Sequence, residues 1–265
     1  MANADVWYNI KLIINPKGYN NEMKYFTAEE LKNSKKDEVS KHLSKLSGKN
    51  VRYNLSFDVF KKYVSDKSSK VLDLGTASGS FLQQLHDDGY QNLYAHDIDS
   101  YLPEERKKII QEYKIAELST QPLPWPDNNF DVVTAWCVLP HLENPFYAAR
   151  DVHRILRKDG LFIFTALHLA SKASIDYFKK YKNFGSYRET NNHIALLPDS
   201  VVRKTMLKFF DLVGVDYLVI PKIFDGWHGK IRKILFNLAS KNLKLEKALK
   251  KRWGYNICYI LRKRS

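Results

Sequence analysis

Residues 70–80, KVLDLGTASGS, join a short apolar run to a glycine-containing turn, and the helix-compatible run FLQQLHDDG follows at residues 81–89. This order predicts a buried strand, a tight turn and a helix. Glycine permits positive φ and lets a ligand approach the backbone closely. The start of the helix supplies free amides and a partial positive charge. The stretch therefore predicts a ligand site, the alternative being a tight turn with nothing bound.

An acidic residue ends the next predicted strand, LYAHDI at residues 93–98. Asp97 follows Gly75 by 22 residues, and a carboxylate at this position accepts hydrogen bonds from ribose hydroxyls in nucleotide-binding folds. The turn reads G-x-A-x-G, whereas a dinucleotide site requires G-x-G-x-x-G. The two features together favour a ribose-containing ligand other than a nicotinamide dinucleotide.

Strands and helices alternate on both sides of this unit. The patterns predict helices at residues 55–64, 103–113, 145–156, 199–211 and 229–252, and further strands at residues 130–137, 161–167, 215–220 and 255–263. Such alternation is typical of an α/β fold with a doubly wound parallel sheet.

The charge of the chain is concentrated near its end. The 265 residues include 43 Lys and Arg against 29 Asp and Glu, a formal charge of +14. Residues 222–265 hold thirteen of the basic residues and two acids, so the rest of the chain is nearly neutral. This distribution disfavours nucleic acid as the partner of the main body, because no phosphate-binding track is evident there.

Several classes of protein are not expected from the remaining composition. Two cysteines cannot form a disulfide framework or a Cys-rich zinc site, and no spacing of ligands predicts a metal site. The longest apolar stretch, residues 161–170, is too short to span a bilayer as a helix. The start, MANADVWYNIKLII, lacks the features of a signal peptide. We therefore expect a soluble, cytoplasmic protein.

Three sequence runs carry a family resemblance. VLDLGTASGSFLQQL at residues 71–85 resembles the first motif of class I S-adenosylmethionine-dependent methyltransferases, in which a glycine usually stands at the position of Ala77. LPWPDNNFDVV at residues 123–133, continuing into VLPHLENP at 138–145, is similar to the LPF-x-D-x-SFD-x-V run of their UbiE-like group. RILRKDG at residues 154–160 resembles the R-x-LKPGG turn of that family. The resemblance implies a Rossmann-like, doubly wound, seven-stranded sheet, mostly parallel, with an antiparallel last strand.

The resemblance also implies a cofactor, S-adenosylmethionine, and the residues that bind it. Asp73 faces the methionine amino end, Asp97 the ribose, Glu117 the adenine amino group, and Trp136 the methionine part. The complete set implied by the resemblance is Asp73, Gly75, Thr76, Ala77, Gly79, Asp97, Ile98, Glu117, Leu118 and Trp136.

Methyl transfer to a hydroxyl needs a base with a pKa near neutrality. His141, His168 and His193 all follow predicted strands at the edge where open α/β sheets bind ligands, and each is a candidate catalytic base. The alternative for each is a structural or surface histidine. Residues 168–198 interrupt the sheet and predict a substrate lid, in which Tyr187 and Arg188 are candidate substrate contacts.

The predicted activity is O-methylation of a sugar, a glycan or another small polar acceptor. The first alternative is a C-methyltransferase of the quinone or sterol type. The others are an RNA methyltransferase anchored by the basic end of the chain, and a non-catalytic protein that binds the cofactor. Cys137 lacks the sequence context of cytosine methyltransferases and is expected to be a core thiol.

Two interpretations remain open for the basic segment. Apolar residues recur there at helical spacing among lysines and arginines: Ile231, Ile234, Leu235, Leu238, Leu245 and Leu249. The segment is either a helix that packs this stripe on the sheet, or an interfacial helix that makes peripheral contact with an anionic membrane.

The predicted organisation has two parts. Residues 1–54 form a helical N-terminal extension or lid, and residues 55–265 form the methyltransferase domain. Within the domain, residues 168–198 are the substrate lid and residues 228–253 a basic amphipathic helix.

Overall fold

The computed structural model describes residues 51–187 and 192–264, with the backbone alone for residues 51–53. A seven-stranded sheet crosses the described part of the chain in the order β3-β2-β1-β4-β5-β7-β6. Its strands are β1 Val71–Leu74, β2 Leu93–Asp97, β3 Glu112–Ile115, β4 Phe130–Ala135, β5 Leu156–Leu167, β6 Phe210–Leu218 and β7 Asn256–Lys263.

Helices cover both faces of this sheet. They are α1 Val51–Tyr63, α2 Ser80–Asp87, α3 Glu104–Lys107, α4 Pro145–Ile155, α5 Lys172–Tyr181, α6 Asp199–Met206, α7 Gly226–Ala239 and α8 Leu243–Trp253. None of those in the described ranges combines the length and the apolarity that crossing a bilayer would require.

The strand directions confirm the predicted fold class. β1 lies between β2 and β4 and pairs with both in parallel, so that Asp73 is opposite Ala95 on one side and Thr134 on the other. The last strand, β7, is antiparallel to both β5 and β6. The carboxyl ends of β1, β2, β4, β5 and β6 therefore share one edge of the sheet, which is where ligands bind in open α/β folds.

Apolar residues on successive positions of the central strands point to opposite faces. Leu72 and Phe162 belong to one buried cluster, while Val71 and Ile163 belong to the other. Because both faces are covered, these strands are mostly apolar and do not alternate regularly with polar residues. The two clusters hold the carboxyl edge of the sheet in a fixed position beneath the loops that follow it.

Several segments differ from the predicted elements. The helix expected over residues 199–211 ends at Met206, and β6 begins at Phe210 although its strand was expected to start at residue 215. The helix expected over residues 103–113 is only the single turn α3, and Glu112–Ile115 forms the edge strand β3 instead. One helix was expected over residues 228–253, but the chain forms α7 and α8, because Asn242 accepts hydrogen bonds from the amides of Lys244 and Leu245 at 3.1 Å and so starts a second helix.

The predicted division between residues 54 and 55 falls inside α1, which begins at Val51. The N-terminal extension predicted for residues 1–54 otherwise lies outside the described residues. α1 packs on the sheet as part of the domain, since Phe60 is fully buried in the cluster that contains Phe81 and Tyr90.

Candidate active site

In the turn after β1, every second residue has a positive φ. Gly75 has a φ of 63°, Ala77 of 48° and Gly79 of 73°. A Cβ on Gly75 would lie 2.6 Å from Cγ2 of Val138, and one on Gly79 would lie 2.5 Å from Cδ1 of Leu102. Glycine is favoured at both positions by conformation and by space. Ala77 adopts the same left-handed region with a side chain, which costs about 1–2 kcal/mol.

Asp97 ties the end of β2 to this turn. Its Oδ2 accepts a hydrogen bond from the amide of Ala77 at 2.7 Å, and its Oδ1 accepts one from the amide of Ile98 at 2.8 Å. The carboxylate is buried at the carboxyl edge of the sheet. The predicted ribose-binding acid therefore lies directly beside the glycine turn, and Ile98 contributes its backbone to the same arrangement.

Arg106 braces the turn from α3 and was not predicted from the sequence. Its Nη1 donates to the carbonyl oxygen of Ser78 at 2.5 Å and to Oγ of Ser80 at 2.9 Å. Thr76 is buried, and its amide donates to the carbonyl of His96 at 3.1 Å. These contacts tie the turn to α3, to β2 and to the start of α2.

Asp73 lies beneath the turn as a buried carboxyl group. Its Oδ1 accepts a hydrogen bond from Oγ1 of Thr134 at 2.6 Å. Burial raises the pKa of Asp73 to about 7, and the charge of Asp97 adds to the rise, although hydrogen bonding opposes it. Within the described part of the chain, no lysine or arginine forms a salt bridge with Asp73. A buried acid of this kind suits a ligand that brings its own cation, such as the ammonium group of methionine.

Trp136 and the residues after β3 complete the predicted cofactor set. Trp136 packs edge-on against Phe81, with ring centroids 5.1 Å apart, and its buried Nε1 has no hydrogen-bond partner among the described residues. Leu118 is buried at the same edge. The orphaned indole N–H and the buried Asp73 carboxyl fit a polar ligand in this position.

The side chain of Glu117 forms hydrogen bonds within the turn that contains it. Its carboxylate accepts hydrogen bonds from the amides of Ser119 and Thr120, both at 2.7 Å, and from Oγ1 of Thr120 at 2.5 Å. Partial burial acts to raise the pKa of Glu117, but these hydrogen bonds outweigh it, and the pKa is lowered overall. The carboxylate is thus ionised and fixed in place, and its contact with adenine stays a prediction.

Two of the three candidate histidines meet in the structure. The rings of His141 and His193 lie 4.5 Å apart between centroids. Nδ1 of His141 is 3.0 Å from the carbonyl oxygen of Asn192, and Nδ1 of His193 is 2.6 Å from that of Ser186. A carbonyl oxygen only accepts, so the neutral ring carries its proton on Nδ1 and its lone pair on Nε2.

The predicted lid residues hold this pair from one side. The ring of Tyr187 lies 5.7 Å from that of His193, and its hydroxyl donates to the carbonyl of Ala195 at 2.8 Å. The amides of Ile194 and Ala195 donate to the carbonyl of Pro140, which docks this part of the lid on the turn after β4. Arg188, the other predicted substrate contact, lies outside the described residues.

His168 makes a different set of contacts. Its Nε2 lies 2.7 Å from the carbonyl oxygen of Lys251, and its ring lies 4.9 Å from that of Tyr217. Burial lowers the pKa of His168, which keeps the ring neutral with a proton on Nε2 for the carbonyl. This histidine links the end of β5 to the end of α8, which is a structural use of the side chain.

Comparison with known proteins identifies the class of this domain. Residues 72–164 match the family model described as a methyltransferase domain. The ubiquinone/menaquinone biosynthesis C-methyltransferase UbiE of Rickettsia akari is 28% identical over 141 residues, covering 49% of this chain and 56% of that protein. The chain thus spans about half the length of the curated relatives it matches.

Solved structures share the fold over most of the chain. A methyltransferase of Thermotoga maritima described as a possible histamine N-methyltransferase has a TM-score of 0.59 at 14% identity, covering 89% of this chain and all of that one. A structure from a complex of the Haloferax volcanii Trm112 methyltransferase activator with a methyltransferase has a TM-score of 0.60 at 11% identity, covering 89% and 98%. Residues 72–164 thus form a methyltransferase domain, on a fold shared with S-adenosylmethionine-dependent methyltransferases.

Proposed function

We propose that this protein transfers a methyl group from S-adenosylmethionine to a hydroxyl oxygen of a sugar, a glycan or another small polar acceptor. The observation that carries the proposal is the pair of neighbouring rings of His141 and His193 at the carboxyl edge of the sheet, the same edge as the glycine turn and Asp97. When bound, the cofactor supplies a methyl group on a positively charged sulfur, which is open to in-line displacement.

The histidine pair is suited to remove the acceptor proton. The backbone carbonyls that accept from Nδ1 fix the orientation of each ring, so the basic Nε2 has a defined position. An Nε2 would accept the proton of the acceptor hydroxyl as the hydroxyl oxygen attacks the methyl group, which the bound cofactor would supply from its sulfonium sulfur, leaving a neutral thioether. Positioned proton transfer of this kind contributes typically 10²–10⁴-fold to a rate.

A second candidate is C-methylation of a hydroxylated ring. It is favoured by the named activity of the UbiE relatives. The same histidine pair would deprotonate the ring hydroxyl, and a ring carbon would then attack the methyl group. Both candidates are consistent with a cytoplasmic protein that works peripherally at a membrane, and this location is part of the proposal.

Labelled methyl transfer from S-adenosylmethionine tests the proposal on nucleotide sugars, glycans, quinols and RNA. O-methylation predicts a product with a new ether carbon, while a carbon–carbon bond supports the second candidate. Transfer to RNA alone, or to no acceptor class despite tight cofactor binding, would overturn the proposal. The change His193→Ala, or His141→Ala, should lower turnover 10²-fold or more with cofactor affinity unchanged. His86→Ala, on the surface of α2, is the matched control and should keep full activity.

A further inference from the structure

α7 and α8 form a helical hairpin that is inserted between β6 and β7 and anchored on one side. Gly229 lies against the backbone of Phe224, where any Cβ would come within 2.1 Å of the Phe224 carbonyl carbon. The ring of Phe236 packs against Phe224 at 5.3 Å and against Trp253 at 6.0 Å. These contacts define the inner side of the hairpin, so the opposite side faces outward.

The outward side of α7 is apolar and exposed. Trp227 is 73% exposed and Leu238 is 69% exposed, and Leu243, at the start of α8, is 82% exposed. On α7 the exposed apolar residues recur at helical spacing, and two more follow at the start of α8. The exposed set comprises Trp227, Ile231, Ile234, Leu235, Leu238, Leu243 and Leu245. We call this set the hairpin face. Of the two open interpretations, packing of the stripe on the sheet does not hold for Ile231, Ile234, Leu235, Leu238 and Leu245, which are exposed.

The hairpin that carries this face is rich in exposed positive charge. Residues 226–253 contain nine lysines and arginines and a single acid, Glu246. Glu246 pairs with Lys250 at 2.7 Å, the one salt bridge in this hairpin among the described residues. Exposed ammonium groups beside exposed leucines and a tryptophan complement an anionic lipid surface, in which the apolar side chains enter the acyl boundary and the lysines meet phosphates.

The hairpin lies at the edge of the sheet that carries the candidate active site. β6 runs parallel to β5, so its carboxyl end is at the same edge as the glycine turn. His168, at the end of β5, binds the carbonyl of Lys251 in α8 through Nε2. The carbonyl of His168 in turn accepts from Oγ of Ser174 in the lid helix α5 at 3.1 Å. One residue thus connects the hairpin to the lid.

We infer that the hairpin face docks on an anionic lipid bilayer and presents the lid and the active-site edge to that surface. The docking is independent of the chemistry at the site. Its consequence, an acceptor that is embedded in or anchored to the bilayer, rests on the proposed methyl transfer.

Co-sedimentation of the full chain with vesicles tests the docking. The chain should bind vesicles of equimolar phosphatidylcholine and phosphatidylglycerol, and bind vesicles of phosphatidylcholine far more weakly, with binding that declines as salt rises. Trp227 is expected to give a blue shift in fluorescence on binding. The shift should disappear in Trp227→Phe, whereas binding should persist because phenylalanine is also apolar.

Two matched sets of substitutions distinguish the effect of the hairpin lysines from the effect of the total positive charge of the protein. Each lysine near an anionic surface is worth about fivefold in affinity. Removing four from the hairpin should therefore weaken binding by more than ~100-fold, and the same number removed elsewhere should change it little. The hairpin set is Lys230→Gln, Lys233→Gln, Lys244→Gln and Lys247→Gln, and the control set is Lys108→Gln, Lys158→Gln, Lys204→Gln and Lys208→Gln.

Several outcomes would overturn the docking. One is the absence of binding to anionic vesicles, and another is equal loss of binding in both lysine sets. A third is a dimer that Leu238→Ser dissociates while vesicle binding is unchanged, since the hairpin face would then join two copies. Cofactor affinity is measured on the same samples. Because this affinity depends on the glycine turn and not on the hairpin, it distinguishes a failure of the docking from a failure of the proposed activity.

Discussion

Asp73→Asn should stabilise the protein in the absence of cofactor and remove its affinity for S-adenosylmethionine. The pKa of the buried Asp73 is about 7, against an ordinary value of 3.8. Between these values the native state holds a proton that the unfolded chain has lost, so stability falls as the pH rises from about 4 to 7. At 1.36 kcal/mol per pKa unit, this cost reaches about 4 kcal/mol above pH 7.

Asparagine avoids that cost because it is neutral and still offers an oxygen to Thr134 Oγ1. We expect the variant to be more stable than the wild type by up to about 4 kcal/mol at pH 8, or roughly 10 °C in melting temperature, and nearly equal to it at pH 4. Urea unfolding at the two pH values measures this difference. Asp58→Asn, which changes an exposed acid of α1, is the control and should be neutral at both.

Cofactor binding should release the proton that Asp73 holds. At pH 6 we expect close to one proton released per cofactor bound, and at pH 9 almost none, because an ammonium group beside Asp73 favours the carboxylate. Calorimetry in buffers of different ionisation enthalpy measures the number. If Asp73→Asn binds the cofactor with unchanged affinity, or if it releases the same number of protons, then Asp73 does not face the methionine amino group and the argument fails.

Two further predictions concern the same edge of the sheet. Burial lowers the pKa of His96 from 6.5 to about 4. The neutral buried ring therefore contributes stability that is lost as the pH falls from 6.5 to 4, by about 3 kcal/mol in all. In His96→Leu, the free energy of unfolding should depend less on pH over this range. Gly79→Ala should cost about 1–2 kcal/mol, because its φ is 73° and its Cβ would meet Leu102, whereas Ala77→Gly should be neutral or stabilising. Thermal melts with and without cofactor compare the two, and equal effects would contradict the role given to backbone conformation.

The sequence was sufficient for the fold class because long, strongly patterned elements lie around the glycine turn. The edge strand β3 was missed, since EYKI at residues 112–115 is short and has no periodicity of its own. Its strand conformation comes from pairing with β2, a tertiary contact. The break between α7 and α8 had a local signal in Asn242, which is a strong N-cap residue, but a continuous apolar stripe masked it.

The geometry of the candidate site was predictable where one local segment creates it. The glycine turn and Asp97 follow from a single strand–turn–helix unit and the next strand. Arg106 was not predictable, because only the approach of α3 to the turn gives it a role. The histidines show the same limit: all three follow strands at one edge, but only the folded chain brings His193 onto His141 and directs His168 to α8.

The basic end of the chain shows why periodicity alone could not choose between a packed and an exposed stripe. A repeat of three or four residues defines the sides of a helix but not which side is covered. In α7, Phe236 supplies the inner contacts although the larger set of apolar residues, including Leu238, points outward. The basic end, residues 222–265, holds thirteen basic and two acidic residues and so carries most of the excess of +14. In the proposed docking this charge bears on where an acceptor would be met, while the glycine turn lies in the nearly neutral part of the chain.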